Sequence, residues 1–245
     1  MSTPVRWPPM QAVILAAGDG DRLAPHTGAL PKPLVPLGGR PILAHVLDGL
    51  AVAGVREAVV VVGYRGGQVR AALAARPPGG VTLRFVENER YELGNARSLW
   101  AARDAVTGPF VLAMADHVVE PAITRWLVDR ADGRCRLAVD RAGPGDARAA
   151  EATRARLRDG RVIDLGKSLR SWDALDTGMF WCTPEIFGAI DGPARDGELG
   201  DVFGTIARAG GLDAVDVTGR RWIDIDTPDD LLRAESMLGA DGRLA

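Results

Sequence analysis

The chain has little lysine, little cysteine and few aromatic residues, and each shortage narrows what it can be. Of its 30 basic residues only Lys32 and Lys167 are lysines; the rest are arginines. Ordinary surface charge is therefore left to arginine, and a compact ammonium is reserved for two places. Lysine's flexible stem suits phosphate oxygens that move during a reaction, whereas arginine is a fixed fork. Two cysteines, Cys135 and Cys182, are too few for a disulfide framework or a thiolate zinc site. The three histidines, His26, His45 and His117, show no metal-ligand spacing. A net charge of −2 gives no electrostatic case for nucleic acid or an anionic membrane as partner. No apolar run approaches the roughly 20 residues needed to span a bilayer. The N-terminal MSTPVRWPPM lacks the apolar stretch of a signal peptide, so the expectation is a cytoplasmic chain without leader or anchor.

What is present is an ordinary globular balance, 47% apolar and 25% charged over 245 residues. That length fits one large α/β domain, and no internal repeat or long linker divides it. Apolar runs at 12–16, 58–62, 81–86 and 110–114 read as strands, with helical patterns at 41–53, 68–75 and 96–105 between them. Pro41 suits a first helical turn and Gly54 the residue after a helix end. This alternation implies an α/β fold with a mostly parallel central sheet covered on both faces. After Asp116 the pattern changes. Segments 151–158 and 161–165 flank Asp159-Gly160, a strong hairpin signal. A strand at 174–182, helices near 184–189 and 199–209, strands at 214–217 and 222–225, and a helix at 228–238 complete the reading. Residues from about 10 to 120 read as a nucleotide-binding half, and those from about 121 to 240 as a second half grown onto the same sheet.

The first strand runs into Gly18-Asp19-Gly20-Asp21-Arg22-Leu23. Glycines there let backbone N–H groups approach a phosphate, although a strand-to-helix turn also needs glycine for geometry alone. It is neither a dinucleotide fingerprint, since Leu23 replaces the third glycine, nor a P-loop, since no Lys-Ser/Thr follows. Asp116 ends a buried strand, where open α/β sheets bind ligands, or else serves as a turn residue. Asp224 and Asp226 lie two apart on a strand and share a face. Asp224 is the better metal ligand, because Asp226 or Thr227 can instead cap the helix that begins at Pro228. Magnesium is commonly held by one or two carboxylates with substrate phosphates and water, a number these acids supply.

The extended motif L-A-A-G-x-G-x-R-L, then P-K-P-L, then G-x-P-I, within Ala12–Leu43, resembles the signature of the sugar-nucleotide and MobA-like nucleotidyltransferases. The resemblance implies a Rossmann-like nucleotidyltransferase (GT-A-like) fold. It implies that Leu15, Ala16, Ala17, Gly18 and Gly20 wrap a nucleoside triphosphate, while Arg22 and Lys32 neutralise the departing pyrophosphate. Segment 86–99, with Glu87, Asn95 and Ser98, matches where such enzymes position nucleotide and acceptor. Asp116, Asp224 and Asp226 fall at metal-ligand positions, with Mg²⁺ as the implied ion. The combination of MADH, VDR (139–141), EAT, LGK, DALDTG and WIDIDT narrows the resemblance to CTP:inositol-1-phosphate cytidylyltransferases over nearly the whole chain. It implies a β-hairpin acceptor lobe in which Glu151, Lys167, Asp176, Thr177 and Gly178 meet the acceptor. Gly166-Lys167-Ser168 departs from the Glu-Lys-Pro of the hexose-phosphate enzymes. Many members of that family carry a C-terminal membrane domain that uses the product; the expectation here is a chain without one.

The expected reaction is transfer of CMP from CTP to a small phosphorylated acceptor, inositol 1-phosphate by preference. Related enzymes act on phosphonates and on phosphocholine. Phosphocholine calls for an aromatic cage; Trp100, Trp172, Trp181 and Trp222 are candidates for one or simply core. A polyol phosphate fits better, with Glu151, Asp173 and Asp176 as hydroxyl acceptors or merely exposed hairpin charges. A metal-dependent glycosyltransferase would place D-x-D where Asp116-His117-Val118 stands, and a non-catalytic nucleotide-binding regulator has no need of both lysines and both acidic elements.

Overall fold

The computed structural model describes residues 10–23, 28, 30–143, 145–239 and 242. His26 and the first nine residues lie outside that set. In chain order the strands and α-helices are β1 (Gln11–Ala16), β2 (Pro36–Leu37), β3 (Arg40–Pro41), α1 (Ile42–Val52), β4 (Glu57–Val62), α2 (Gly66–Ala75), β5 (Thr82–Glu87), α3 (Asn95–Ala101), β6 (Phe110–Met114) and β7 (His117–Val119). They continue as α4 (Pro121–Asp129), β8 (Cys135–Arg141), β9 (Arg154–Arg158), β10 (Arg161–Gly166), β11 (Ala174–Cys182), α5 (Ile186–Ile190), α6 (Leu199–Arg208), β12 (Leu212–Asp216), β13 (Trp222–Asp224) and α7 (Pro228–Ser236).

All six residues of β1 are buried, which requires cover on both faces of the sheet. Its side chains alternate accordingly. Ala12, Ile14 and Ala16 pack with the apolar stripes of α1, α2 and α4, while Val13 and Leu15 pack with those of α3, α5 and α6. The nine-stranded sheet runs β5-β4-β1-β6-β11-β8-β12-β10-β9. It is parallel through β5, β4, β1 and β6, whose carboxyl ends line up at one edge. Beyond β6 the expected mostly parallel sheet gives way to a mixed one. β11 enters antiparallel to β6 and β8, and only the β8–β12 pairing in the second half is parallel. The reversal has a local cause, because β9 and β10 form a tight hairpin instead of a helical crossover. Asp159 and Gly160 both take the positive φ that a two-residue turn of this kind demands.

Absent from the sequence reading are α4, the short strands β2, β3 and β7, and β8, a strand near the middle of the second half. The helix expected over 96–105 stops at Ala101, with a short 3₁₀ turn at Arg103–Ala105. The strand expected from residue 151 begins at Arg154, after a 3₁₀ turn at Ala147–Ala150. At α7 the choice of cap resolves to Thr227. Its hydroxyl accepts from the Asp230 N–H and the Asp230 carboxylate accepts from the Thr227 N–H, a reciprocal capping box.

The turn into α3 is held by glycine. Gly94 has φ +108°, and a Cβ there would lie 2.3 Å from the Gly197 carbonyl oxygen, a backbone atom with little room to move. Gly94→Ala is expected to lower the unfolding free energy by about 1–3 kcal/mol. Gly67→Ala, inside α2 with nothing within 4 Å of the added carbon, is expected to raise it by roughly 0.5–1 kcal/mol. Urea denaturation followed by far-UV circular dichroism checks both signs.

Candidate active site

The chain leaves β1 at the aligned carboxyl edge and enters the glycine loop, which forms a turn as far as Leu23. It turns back through a hydrogen bond from the Leu23 N–H to the Gly20 carbonyl. Leu23 is buried in the core, so the residue that breaks the dinucleotide pattern anchors the loop. Gly20 has φ +67°, and a Cβ there would sit 2.7 Å from the Cβ of Lys32. The glycine therefore makes room for the lysine stem. Lys32, between Pro31 and Pro33, starts a 3₁₀ turn and is itself buried.

The acidic elements reach the lysine from two directions. Asp116 follows β6, whose end is tied to β1 by a hydrogen bond from the Ala115 N–H to the Leu15 carbonyl. β7 then pairs antiparallel with β13, which sets Asp224 opposite His117. Ile225 is fully buried, and its N–H donates to the Asp116 carbonyl. This ribbon carries Asp226 to the same place. Lys32 Nζ donates to Asp116 Oδ2 at 2.6 Å and to Asp226 Oδ1 at 2.5 Å. Arg22 pairs with Asp226 Oδ2 at 2.5 Å and with Glu151 at 2.8 Å. Both oxygens of Asp226 are thus engaged by cations.

Asp224 is placed differently. Its Oδ1 is buried without a hydrogen-bond partner among the described residues and lies 3.6 Å from His117 Nδ1. Burial pushes Asp224 up to about 6, with Asp116 and Asp226 adding to the rise against the pull of His117 and Lys32. Burial would also lift Asp116, but Lys32 and His117 hold it well below the usual carboxylate range. Burial opposes a charged His117, yet the facing carboxylates Asp224, Asp116 and Asp176 raise it to about 9. Lys32 is raised above its ordinary value by Asp116, Asp224 and Asp226 in spite of its burial. Ligand atoms of Asp116, His117 and Asp224 all lie within 4.8 Å of one another. A buried, unpartnered carboxylate oxygen beside a second carboxylate is a donor set that suits a hard divalent cation.

Two clefts meet at this cluster. A smaller one, about 260 Å³, is lined by Leu15, Ala16, Gly18, Gly20, Arg22, Lys32, Asp116 and Asp226. A larger one, about 1670 Å³, is lined by Arg22, Asn95, Asp116, His117, Glu151, Lys167, Asp176, Gly178, Asp224 and Asp226, among others. Arg22, Asp116 and Asp226 belong to both. Lys167 is exposed in the large cleft and forms no ion pair among the described residues. Asp176 is pushed up to about 6 by burial, and its carboxylate accepts from the Gly178 N–H at 2.7 Å.

The remaining expected residues are placed in other ways. Ala17 is buried beneath the loop, and its carbonyl accepts from the Tyr64 N–H. Thr177 is fully buried and its hydroxyl donates to the Ala138 carbonyl, so it serves the sheet. Asn95 lines the large cleft but spends its side-chain oxygen on the Leu199 N–H. Ser98 is buried against Asn88, and Glu87, at the end of β5, pairs with Arg70; neither lines these two clefts. Asp173 accepts from the Leu157 N–H and steadies the hairpin. Of the four tryptophans considered, Trp222 alone lines the large cleft, where its indole N–H donates to the buried Asp140. The sequence reading missed His117 as a member of the site. Its partner Asp224 lies far along the chain, beyond the reach of any local spacing rule.

Comparison with known proteins identifies the family. The MobA-like NTP transferase domain matches residues 12–170. The chain is 37% identical over 235 residues to a bifunctional IPC transferase and DIPP synthase from Rubrobacter xylanophilus, an alignment covering 93% of this chain and 51% of that protein. It thus spans about half the length of such relatives. It is 30% identical to the UTP–glucose-1-phosphate uridylyltransferase AglF of Haloferax volcanii, over 94% of this chain and 96% of that one. Among solved structures, the inositol-1-phosphate CTP transferase from T. maritima superposes with a TM-score of 0.82 at 26% identity, covering 94% of this chain and 96% of that one. The family match over residues 12–170, with a relative 30% identical across nearly the whole of both chains, shows that the chain has the nucleotidyltransferase fold and belongs to the MobA-like NTP transferase family.

Proposed function

We propose that this chain transfers CMP from CTP to a small phosphorylated polyol, inositol 1-phosphate being the best candidate, with release of pyrophosphate. The observation that carries the reading is the pair of clefts sharing Arg22, Asp116 and Asp226. One has a glycine loop and a buried lysine suited to a triphosphate; the other has an exposed lysine, without an ion pair among the described residues, suited to a second phosphate. Cytidine as the base, and inositol phosphate as the acceptor, are supported by what the similar proteins are named to do. Against choline, the large cleft holds Trp222 and Phe180 as its large aromatics, too few for a cage around a quaternary ammonium.

In this reading the glycine loop, Lys32 and Arg22 bind the triphosphate, and Lys167 on the hairpin lobe orients the acceptor phosphate toward the α-phosphorus. The second ionisation of a phosphate monoester has a pKa of about 6, so the acceptor is already nucleophilic at neutral pH and needs no general base. The work left to the protein is alignment and neutralisation of the charge that builds on pyrophosphate. Mg²⁺ would supply part of that neutralisation when bound. Asp116 and Asp224 would hold it, joined by Asp226 once phosphate oxygens draw Lys32 and Arg22 away. Glu151 releases Arg22 to the phosphates in the same exchange, and Asp176 is left to accept from an acceptor hydroxyl.

Pyrophosphate release should be fastest with CTP and inositol 1-phosphate, should fall with UTP, ATP or GTP, and should stop in EDTA. Equal release with UTP overturns the choice of base, and faster release with phosphocholine or a phosphonate overturns the choice of acceptor. Asp116→Asn is expected to reduce kcat by about a hundredfold or more, the scale for loss of one preorganised electrostatic contact. Steady-state turnover at saturating Mg²⁺ measures it. The two lysines should fail differently. Lys32→Ala should weaken CTP binding and slow turnover, while Lys167→Ala should mainly raise the acceptor KM. Arginine at either position should not restore activity fully. Kinetics with each substrate varied, beside CTP titration of the free protein, separates the two roles.

A further inference from the structure

We propose that His117 is a positioning residue: it holds Asp116 and Asp224 in the arrangement that receives a divalent cation together with the triphosphate. This rests on the nucleotidyl-transfer reading above and adds to it a residue that neither binds a substrate nor carries the chemistry. His117 Nδ1 lies 2.9 Å from Asp116 Oδ1 and 3.6 Å from Asp224 Oδ1, so one ring nitrogen faces both carboxylates. The antiparallel register that sets Asp224 across from His117 fixes the backbone side of this contact.

The ring is fixed from behind as well. Gly178, on β11, has φ +74°, and a Cβ there would come within 2.3 Å of the ring's Cδ2 and 2.8 Å of Nε2. The Gly178 N–H is committed to the Asp176 carboxylate, which holds that backbone in place. Three elements of the fold thus set the orientation of one imidazole. A hydrogen-bond donor oriented in this way fixes the orientation of the carboxylate it meets.

The arrangement matters most once nucleotide binds. Asp116 Oδ2 accepts from Lys32, and Asp116 Oδ1 is the atom facing His117. When phosphate oxygens take the ammonium of Lys32, His117 is the side-chain donor that remains to Asp116 among the described residues. The Asp224 oxygen that lacks a hydrogen-bond partner among the described residues lies 3.6 Å from the same nitrogen, so one imidazole is in reach of both carboxylates. A hard cation in a triphosphate site takes oxygen ligands by preference, which leaves the nitrogen the role of donor.

The test compares three variants. His117→Asn keeps an N–H donor near the position of Nδ1, His117→Gln carries its donor out toward Nε2, and His117→Ala has none. Mn²⁺ binding in the presence of CTP is followed by electron paramagnetic resonance, beside thermal melting of each variant and the acceptor KM. The expected result is Mn²⁺ affinity near that of the unaltered protein for His117→Asn. Affinity should fall about tenfold or more for His117→Gln and His117→Ala. Melting temperature and acceptor KM should stay close to their starting values in the glutamine variant. Undiminished affinity in His117→Gln overturns the proposal, and so does a loss in His117→Asn as large as in His117→Ala, which would make the ring itself a ligand. An unaltered protein that binds no Mn²⁺ with CTP instead overturns the nucleotidyl-transfer reading beneath it.

Discussion

Lys32 is an ammonium buried among carboxylates that come from opposite halves of the chain, and the rest of the site is arranged around its charge. A buried cation left without partners costs several kcal/mol. Its stem threads past a glycine with no Cβ, its nitrogen meets Asp116 at the end of a parallel strand, and Asp226 arrives on a separate two-stranded ribbon. None of these contacts can shift alone. If the β7–β13 ribbon slipped by one residue, Asp224 would leave His117, and alternation along the strand would turn it to the other face.

The same charges serve two states. Without substrate the carboxylates hold the cations, and Arg22 and Lys32 neutralise acids that would otherwise repel one another. On the proposed function the triphosphate takes over those cations, and the carboxylates then face a metal ion. The cations change partners as the nucleotide binds, so they already stand against the phosphates at the moment of reaction. Asp224 has an oxygen already without a hydrogen-bond partner among the described residues, which makes it the natural starting point of that exchange.

The change of strand direction beyond β6 supplies the second cleft. Had β11 continued parallel, helical crossovers would have covered that face, as they do over β1 and β4. The β9–β10 hairpin instead leaves a broad opening of about 1670 Å³ beside the cluster. Lys167 follows the hairpin directly and stands exposed within that space. Thr177 and Gly178, read together as acceptor contacts, do separate work there. One ties β11 to β8 through the Ala138 carbonyl, and the other clears space for the His117 ring.

The sequence by itself determined the local decisions. Apolar runs set the parallel strands and Asp159-Gly160 set the hairpin, because periodicity and turn chemistry act over a few residues. It left β8 and α4 unseen. β8 lies near the middle of the mixed half of the sheet, with its cover supplied by helices from elsewhere in the chain. Tertiary structure alone decided which of the acids stand free. Asp226 is bound by two cations, Asp173 is spent on a backbone N–H, and Asp224 is left with an unpartnered oxygen. It also brought His117 into the site, since strand pairing, not spacing along the chain, places a histidine beside a distant aspartate. Hydrogen bonds and ion pairs act over a few ångströms, and which groups come within that distance is fixed only when the two halves of the sheet close on one another.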